Sequence, residues 1–451
     1  MTIEAARTAG EPGSTLIVRN GTIVTLNERS DVYHGGHVVI RGDRIMSAGE
    51  GSAPEVGAAR TIDASGLIVM PGLVDLHFHT AIERGGYSES LEVEEALFQH
   101  WYPMMRNLDA ETAYAGALHS YVRAIRAGTT SVNDMFRHVE SLARAASEVG
   151  IRATLSSLVA RPEDGLDVLE DNRAAFHACA GEPDDRVQVA VGVEWIPLAT
   201  ADILRDAASM ATELDTGLHI HLSESQQEVE TCLQEFGARP VRVAYDHGLL
   251  GPSTVAAHCV WLTDEDIGMI AETGTHVSHN PAANSKLGEG IAPARKLLEA
   301  GVNVGLGHDS TEGNNTMDIF EVMRTGAYLQ RAVHADPKLM PAAQMLRMAT
   351  VNGARALGVE AGVIEPGHKA DIILVETESD FFDTRMPAYR ANVLPRLVFA
   401  TNGGMVRTVI VDGRIVMEDR VMKTVDEMEA IERARDAVSR LVEGRRSRGT
   451  P

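Results

Sequence analysis

The stretch Pro71-Gly72-Leu73-Val74-Asp75-Leu76-His77-Phe78-His79 sets two histidines two residues apart at the end of an apolar run. Side chains alternate along an extended strand, so His77 and His79 project to one side and could grip a single metal ion through imidazole nitrogens. Three other apolar runs end in groups of the same chemistry: His219-Ile220-His221-Leu222-Ser223-Glu224, Ala257-His258-Cys259 and Gly307-His308-Asp309. Three imidazoles and a carboxylate suit a borderline divalent ion such as zinc or ferrous iron, with a position left open for water. Glu224 could then shuttle protons for that water, and His258 and Asp309 could orient or deprotonate it. His219 points the same way as His221 and reads as a buried structural histidine rather than a ligand.

Such groups can meet only if the strand ends share one face of a fold. From about residue 68 to about 355, apolar β-rich runs alternate with helical stretches, the pattern of repeated βα units and a parallel sheet. Eight such units fit a (β/α)8 TIM-type barrel, whose active sites form at the carboxyl ends of its strands. No GxGxxG or Walker loop follows the first strand, which weakens a nucleotide-binding doubly wound sheet. Short strands broken by Asn20-Gly21, Gly42-Asp43 and Asp412-Gly413 recur at both chain ends. They predict a small discontinuous β-sandwich domain from residues 1–68 and 365–423, flanking a barrel over 69–364. A C-terminal helix and tail over 424–451 starts at a Thr424/Glu427 capping box, with Met428, Ile431, Ala434, Val438 and Leu441 as its packing stripe.

Composition narrows the function. Of the 451 residues, 41 are Lys or Arg and 64 Asp or Glu, a formal net charge of −23 that disfavours nucleic acid or an anionic membrane as partner. No apolar run is long enough to span a bilayer and no signal core opens the chain, so a cytoplasmic protein is expected. Cys179, Cys232 and Cys259 lack any CxxC spacing and read as ordinary thiols in or near the core.

The Pro-Gly-Leu-Val-Asp-Leu-His-Phe-His phrase, His221-x-x-Glu224, Ala-His258-Cys, Ser-His279-Asn-Pro and Asp309 together resemble the amidohydrolase superfamily. The likeness is to its branch of aminohydrolases and chlorohydrolases acting on nitrogen heterocycles, such as guanine and S-adenosylhomocysteine deaminases and the triazine hydrolases. The resemblance implies one divalent ion, zinc before iron, held by His77, His79, His221 and Asp309. Glu224 would be the general acid/base, and His258 would hydrogen-bond the attacking water. No lysine ends the fourth strand, which favours one metal over two. The implied reaction is hydroxide attack on an sp2 ring carbon followed by loss of an exocyclic amine. Displacement of chloride or alkylamine from a triazine-like ring is the alternative, and a non-catalytic barrel scaffold the rival outside enzymes. Homo-oligomerisation follows from the resemblance alone.

Candidate substrate contacts are Arg84 and Trp101, in a loop and aromatic helix like those of triazine hydrolases, with Glu194, Trp195 and His279. Aromatic faces there could stack on a flat ring, and Glu194 could accept from ring N–H or amino groups. Two departures from adenosine-type deaminases, Glu194-Trp195-Ile196-Pro197 for a His-x-Pro-Tyr phrase and His308 for a threonine, speak against an adenosine-like substrate.

Overall fold

The computed structural model describes residues 14–55, 57, 59–82, 91–180, 185–376 and 392–447. Its centre is two parallel sheets. One runs Leu73–Phe78, Thr129–Met135, Arg152–Ser156, Val187–Val189, and the other Val191–Trp195, Leu218–Leu222, Thr254–His258, His276–His279, Val304–Leu306. Helices including Ala110–Arg126, Val139–Val149, Leu169–Cys179 and Ala201–Glu213 alternate with these strands, as the TIM-barrel type of α/β fold requires.

The ladder is not closed. At one seam the fourth strand changes sheets at Ala190: its N–H bonds Leu155 O at 2.8 Å, whereas the next N–H, of Val191, bonds Gly217 O at 2.9 Å. The buried Asn172 amide fills that seam, with Oδ1 accepting from Ser157 N at 3.1 Å and Gly192 N at 3.0 Å, and Nδ2 donating to Ala190 O at 3.0 Å. A side chain has replaced backbone pairing. Gly192 is obligatory here, since a Cβ would lie 1.9 Å from Ser157 O. At the other seam an isolated parallel bridge joins Phe78 to Asp309. Asp309 N donates to His77 O and His79 N to Asp309 O, both at 2.9 Å. The first and last strands thus share main-chain hydrogen bonds only at their ends, where His77, His79 and Asp309 stand.

Both chain ends enter one nine-stranded sheet, in which Leu67–Pro71 pairs antiparallel with Ile372–Glu376. The apolar run Leu67–Phe78 is two strands, split at Gly72, whose N–H donates to Asp371 O at 2.9 Å. A Cβ on Gly72 would strike Thr130. Gly42-Asp43 and Asp412-Gly413 close hairpins as expected, but Asn20-Gly21 does not. Thr15–Val24 is one strand that bulges there, because it trades its parallel partner Arg60–Asp63 for Leu67–Pro71.

The last helix, Glu427–Ser447, is capped differently from the sequence reading. Thr424 Oγ1 is taken by Val149 O at 2.7 Å, and Asp426 accepts from Met428 N at 2.9 Å and Glu429 N at 3.1 Å. The stripe is rotated accordingly: Ala430, Ala434, Ala437 and Leu441 are buried, and Met428 is exposed. Among the described residues no helix is long and apolar enough to cross a membrane.

Arg152, on the third barrel strand, locks barrel to end sheet. It donates to Asp371 Oδ2 and to Asp412 Oδ1, each at 3.0 Å, and all three residues are buried. Replacing Arg152 by Met should strand the buried Asp371 carboxylate, while Asp412 keeps Lys369 Nζ at 3.0 Å, and lower stability by about 3–5 kcal/mol, measured by denaturant unfolding. A loss within experimental error of zero would show that the pair is not coupled to folding.

Candidate metal centre

His77, His79, His221 and Asp309 come from three strand ends and meet. His79 Nε2 lies 3.1 Å from His221 Nε2, and Asp309 Oδ1 lies 3.6 Å from His77 Nε2 and 3.5 Å from His79 Nε2. Donors held about 2.1 Å from one ion at tetrahedral angles stand about 3.4 Å apart, so these spacings fit a shared cation.

Proton placement says the same. His79 Nδ1 donates to Met135 O at 2.7 Å and His221 Nδ1 to Glu194 O at 2.5 Å. Carbonyls only accept, so each Nε2 carries a bare lone pair. His77 Nδ1 lies 2.9 Å from His219 Nε2, and His77 Nε2 is buried with no hydrogen-bond partner. His219 is indeed buried, but it orients a metal-facing imidazole rather than filling core. Burial, reinforced by neighbouring imidazoles, holds His77 and His221 well below their ordinary pKa, and burial takes His79 down to about 4. All three are neutral, as ligation demands. Burial and the nearby Glu289 push Asp309 up to about 8, a cost that a cation among the four groups would relieve.

Glu224 lies on the cavity wall. The loop that carries it is held by a residue without any spacing signal: Glu228, in the first turn of helix Gln226–Glu235, accepts from Ser223 N at 2.9 Å and Glu224 N at 2.7 Å. His258 Nε2 stands 3.4 Å from Glu224 Oε1. Asn284 Nδ2 approaches His258 Nδ1 at 2.8 Å, and an amide nitrogen only donates, so the His258 proton sits on Nε2. His258 therefore offers the reacting centre a hydrogen bond and not a base. His258 and Asp309 have φ of 71° and 77°, backbone that costs about 1–3 kcal/mol each and that clusters at functional sites.

A cavity opens over these groups, lined by Trp101, Tyr102, Glu194, Trp195 and Leu287 among others. A π-helical turn, Leu97–Trp101, precedes Tyr102 and puts the Trp101 ring 5.7 Å from that of His79. Glu194 is buried; its Oε1 accepts from Tyr102 Oη at 3.1 Å and its Oε2 has no partner. Burial pushes that carboxyl up to about 8. Not every candidate arrives. His279 is buried at the seventh strand end with both ring nitrogens unpartnered, away from the residues lining the cavity. Phe98 is exposed, and Asn314 supports the loop through His308 O at 3.1 Å. Arg84 lies outside the described residues. His308 is fully buried on Asp75, with Nδ1 2.6 Å from Asp75 Oδ2, and does not line the cavity.

A model of the amidohydrolase family matches residues 68–416. The chain belongs to the amidohydrolase family. Relatives of this amidohydrolase include the 5'-deoxyadenosine deaminase of Methanosarcina mazei, 37% identical over 431 residues, 95% of this chain and 98% of the relative. The 5-methylthioadenosine/S-adenosylhomocysteine deaminase of Symbiobacterium thermophilum is 37% identical over 436 residues, 95% and 99% of the two chains. Among solved structures, a zinc-bound adenosine deaminase from Xanthomonas campestris superposes with a TM-score of 0.88 at 27% identity, covering 95% of this chain and 99% of its own. A zinc complex of atrazine chlorohydrolase from Arthrobacter aurescens superposes at 0.84 with 22% identity, covering 94% and 100%, a likeness of fold. This amidohydrolase is a carbon–nitrogen hydrolase with a histidine-rich metal site.

If His219 fixes the His77 ring, His219→Ala should weaken metal binding about 10–100-fold without unfolding the chain, read by competition against a chelator. Unchanged affinity would remove His219 from the site.

Proposed function

We propose that this amidohydrolase hydrolytically deaminates an amino-substituted N-heteroaromatic ring, with adenosine derivatives the first class to test. The observation that carries this reading is the neutral, lone-pair-forward set His77, His79 and His221 beside Asp309, with Glu224 on the wall of the same cavity. Full-length relatives named as adenosine-derivative deaminases support the leaving group. Of the two departures that argued against an adenosine-like substrate, His308 is turned away onto Asp75, leaving Glu194 and Trp195 of the other in the cavity.

In this reading His77, His79, His221 and Asp309 hold one divalent ion, zinc by the solved neighbours. When bound, that ion supplies the Lewis acidity that makes water nucleophilic near neutral pH. Trp101 and Trp195 flank the ring, and the Glu194 carboxyl meets its polar edge. Glu224 hands one proton to the ring nitrogen and one to the departing amine, and takes back both protons of the attacking water, so that it ends the turnover as it began. Of the water's two protons, one ends on the ring nitrogen and one in ammonia. His258 Nε2–H steadies the attacking oxygen. The eight βα units act as one barrel over 69–364, beside a two-ended β domain of 1–68 and 365–423 and the helix and tail of 424–451.

Metal-reconstituted protein should release ammonia from at least one member of a panel of 5'-deoxyadenosine, methylthioadenosine, S-adenosylhomocysteine, guanine, pterins and aminotriazines. Chloride or alkylamine release without ammonia would move the activity to ring displacement, and no metal uptake at all would favour a scaffold. Glu224→Gln should keep its metal and lose about 10²–10⁴-fold in kcat. Glu194→Ala should raise KM about tenfold or more while Glu194→Gln, which still hydrogen-bonds, raises it less. Equal effects of the two would take Glu194 out of substrate recognition.

A further inference from the structure

Glu289 has no place in the sequence motifs, yet the fold spends several interactions to seat it. It is buried on a turn flanked by Gly288 and Gly290, with φ of 74° and 121°, conformations that let the chain double back. Its N–H donates to Asn284 O at 3.0 Å, and its carbonyl accepts Trp261 Nε1 at 2.7 Å. Its Oε2 accepts from Asn284 Nδ2, the same amide that donates to His258 Nδ1. Its other oxygen, Oε1, is buried with no hydrogen-bond partner. One atom from each of Glu224, His258 and Glu289 lies within 4.8 Å of the other two. Two carboxyls this close in a buried site cannot both ionise, so one proton serves the pair.

Resting on the deaminase reading, we propose that Glu289 is a positioning residue for the reaction: it shares one proton with Glu224 and, through Asn284, keeps the His258 Nε2–H turned to the reacting centre. Burial and their mutual repulsion raise both carboxyls, so the pair retains a proton where two free carboxylates would not. Burial first, then Glu289 and Asp309, drive Glu224 well above the usual carboxyl range, and burial lifts Glu289 to about 7 while the Asn284 amide pulls it back. Glu224 lies on the cavity wall and Glu289 does not, so Glu224 is the member of the pair placed to pass the proton on. The charged groups facing the pair are Asp309, Glu228, Glu94 and His258, so Glu289 supplies the largest removable push on Glu224.

The test compares metal-loaded wild type with Glu289→Gln, Glu289→Asp and Glu224→Gln. Glu289→Gln should hold its metal and its melting temperature, lose about 10–100-fold in kcat with KM within about threefold, and move the Glu224-governed limb of the kcat–pH profile down by about one unit or more. The direction follows from the sign: removing a neighbouring negative charge makes Glu224 easier to ionise. Glu289→Asp should recover part of kcat. Infrared titration of the carboxylic-acid C=O band provides a readout without turnover. Wild type should show a band near neutral pH that Glu224→Gln abolishes and Glu289→Gln shifts to lower pH. An unchanged pH profile and kcat in metal-loaded Glu289→Gln, or a band indifferent to both substitutions, would overturn the proposal. If wild type deaminates nothing on the panel, the deaminase reading fails by itself. The infrared comparison of wild type with Glu224→Gln then still decides whether the pair exists, also where Glu289→Gln does not fold.

Discussion

Three imidazoles can face one ion only if each keeps its proton on the far side of the ring, and that requirement organises the centre of this protein. For His79 and His221 the acceptors are the main-chain carbonyls of Met135 and Glu194, on neighbouring strands, and for His77 the partner is His219. The imidazole face is therefore built by atoms from four different strands. A parallel α/β fold provides this cheaply, because every strand ends on the same side. The positive φ of Ser223, His258, Cys259 and Asp309 shows where the backbone bends to bring those ends inward.

Around the imidazoles lies an unusual density of acid. Glu194, Glu224, Glu228, Glu289 and Asp309 are all buried, and burial raises each of them. Such a set is unstable if fully ionised, and a divalent cation offsets it while leaving protons to be redistributed among the rest. Each carboxyl has a different geometry: Glu228 clamps a loop, Glu194 faces the cavity beside Tyr102, Glu224 reaches the cavity wall, and Glu289 stands behind it. Environment, rather than residue type, separates their roles.

The seams of the barrel are informative for the same reason. The ladder breaks at Asn172, where Gly192 stands in register with His219, and at Phe78 and Asp309, beside the metal-facing groups. The second break frees Asp309 from regular strand geometry, so its carboxylate can turn toward His77 and His79. The end sheet braces the opposite side through Gly72 and Arg152.

The sequence alone determined which residues could share one ion and that strand ends must bring them together, because metal ligation demands particular side chains and strand alternation fixes where they point. His77, His79, His221, Glu224 and Asp309 were legible for that reason, as were the alternating units and the two hairpins. Capping at Thr424 and the turn at Asn20-Gly21 were misjudged, because a distant carbonyl and a change of strand partner outrank local propensity. Glu228, Asn284, Glu289 and the Asp75–His308 pair carry no spacing signal at all. Their meaning lies in which proton or lone pair they face across tens to hundreds of residues, and only the packed tertiary structure decides that.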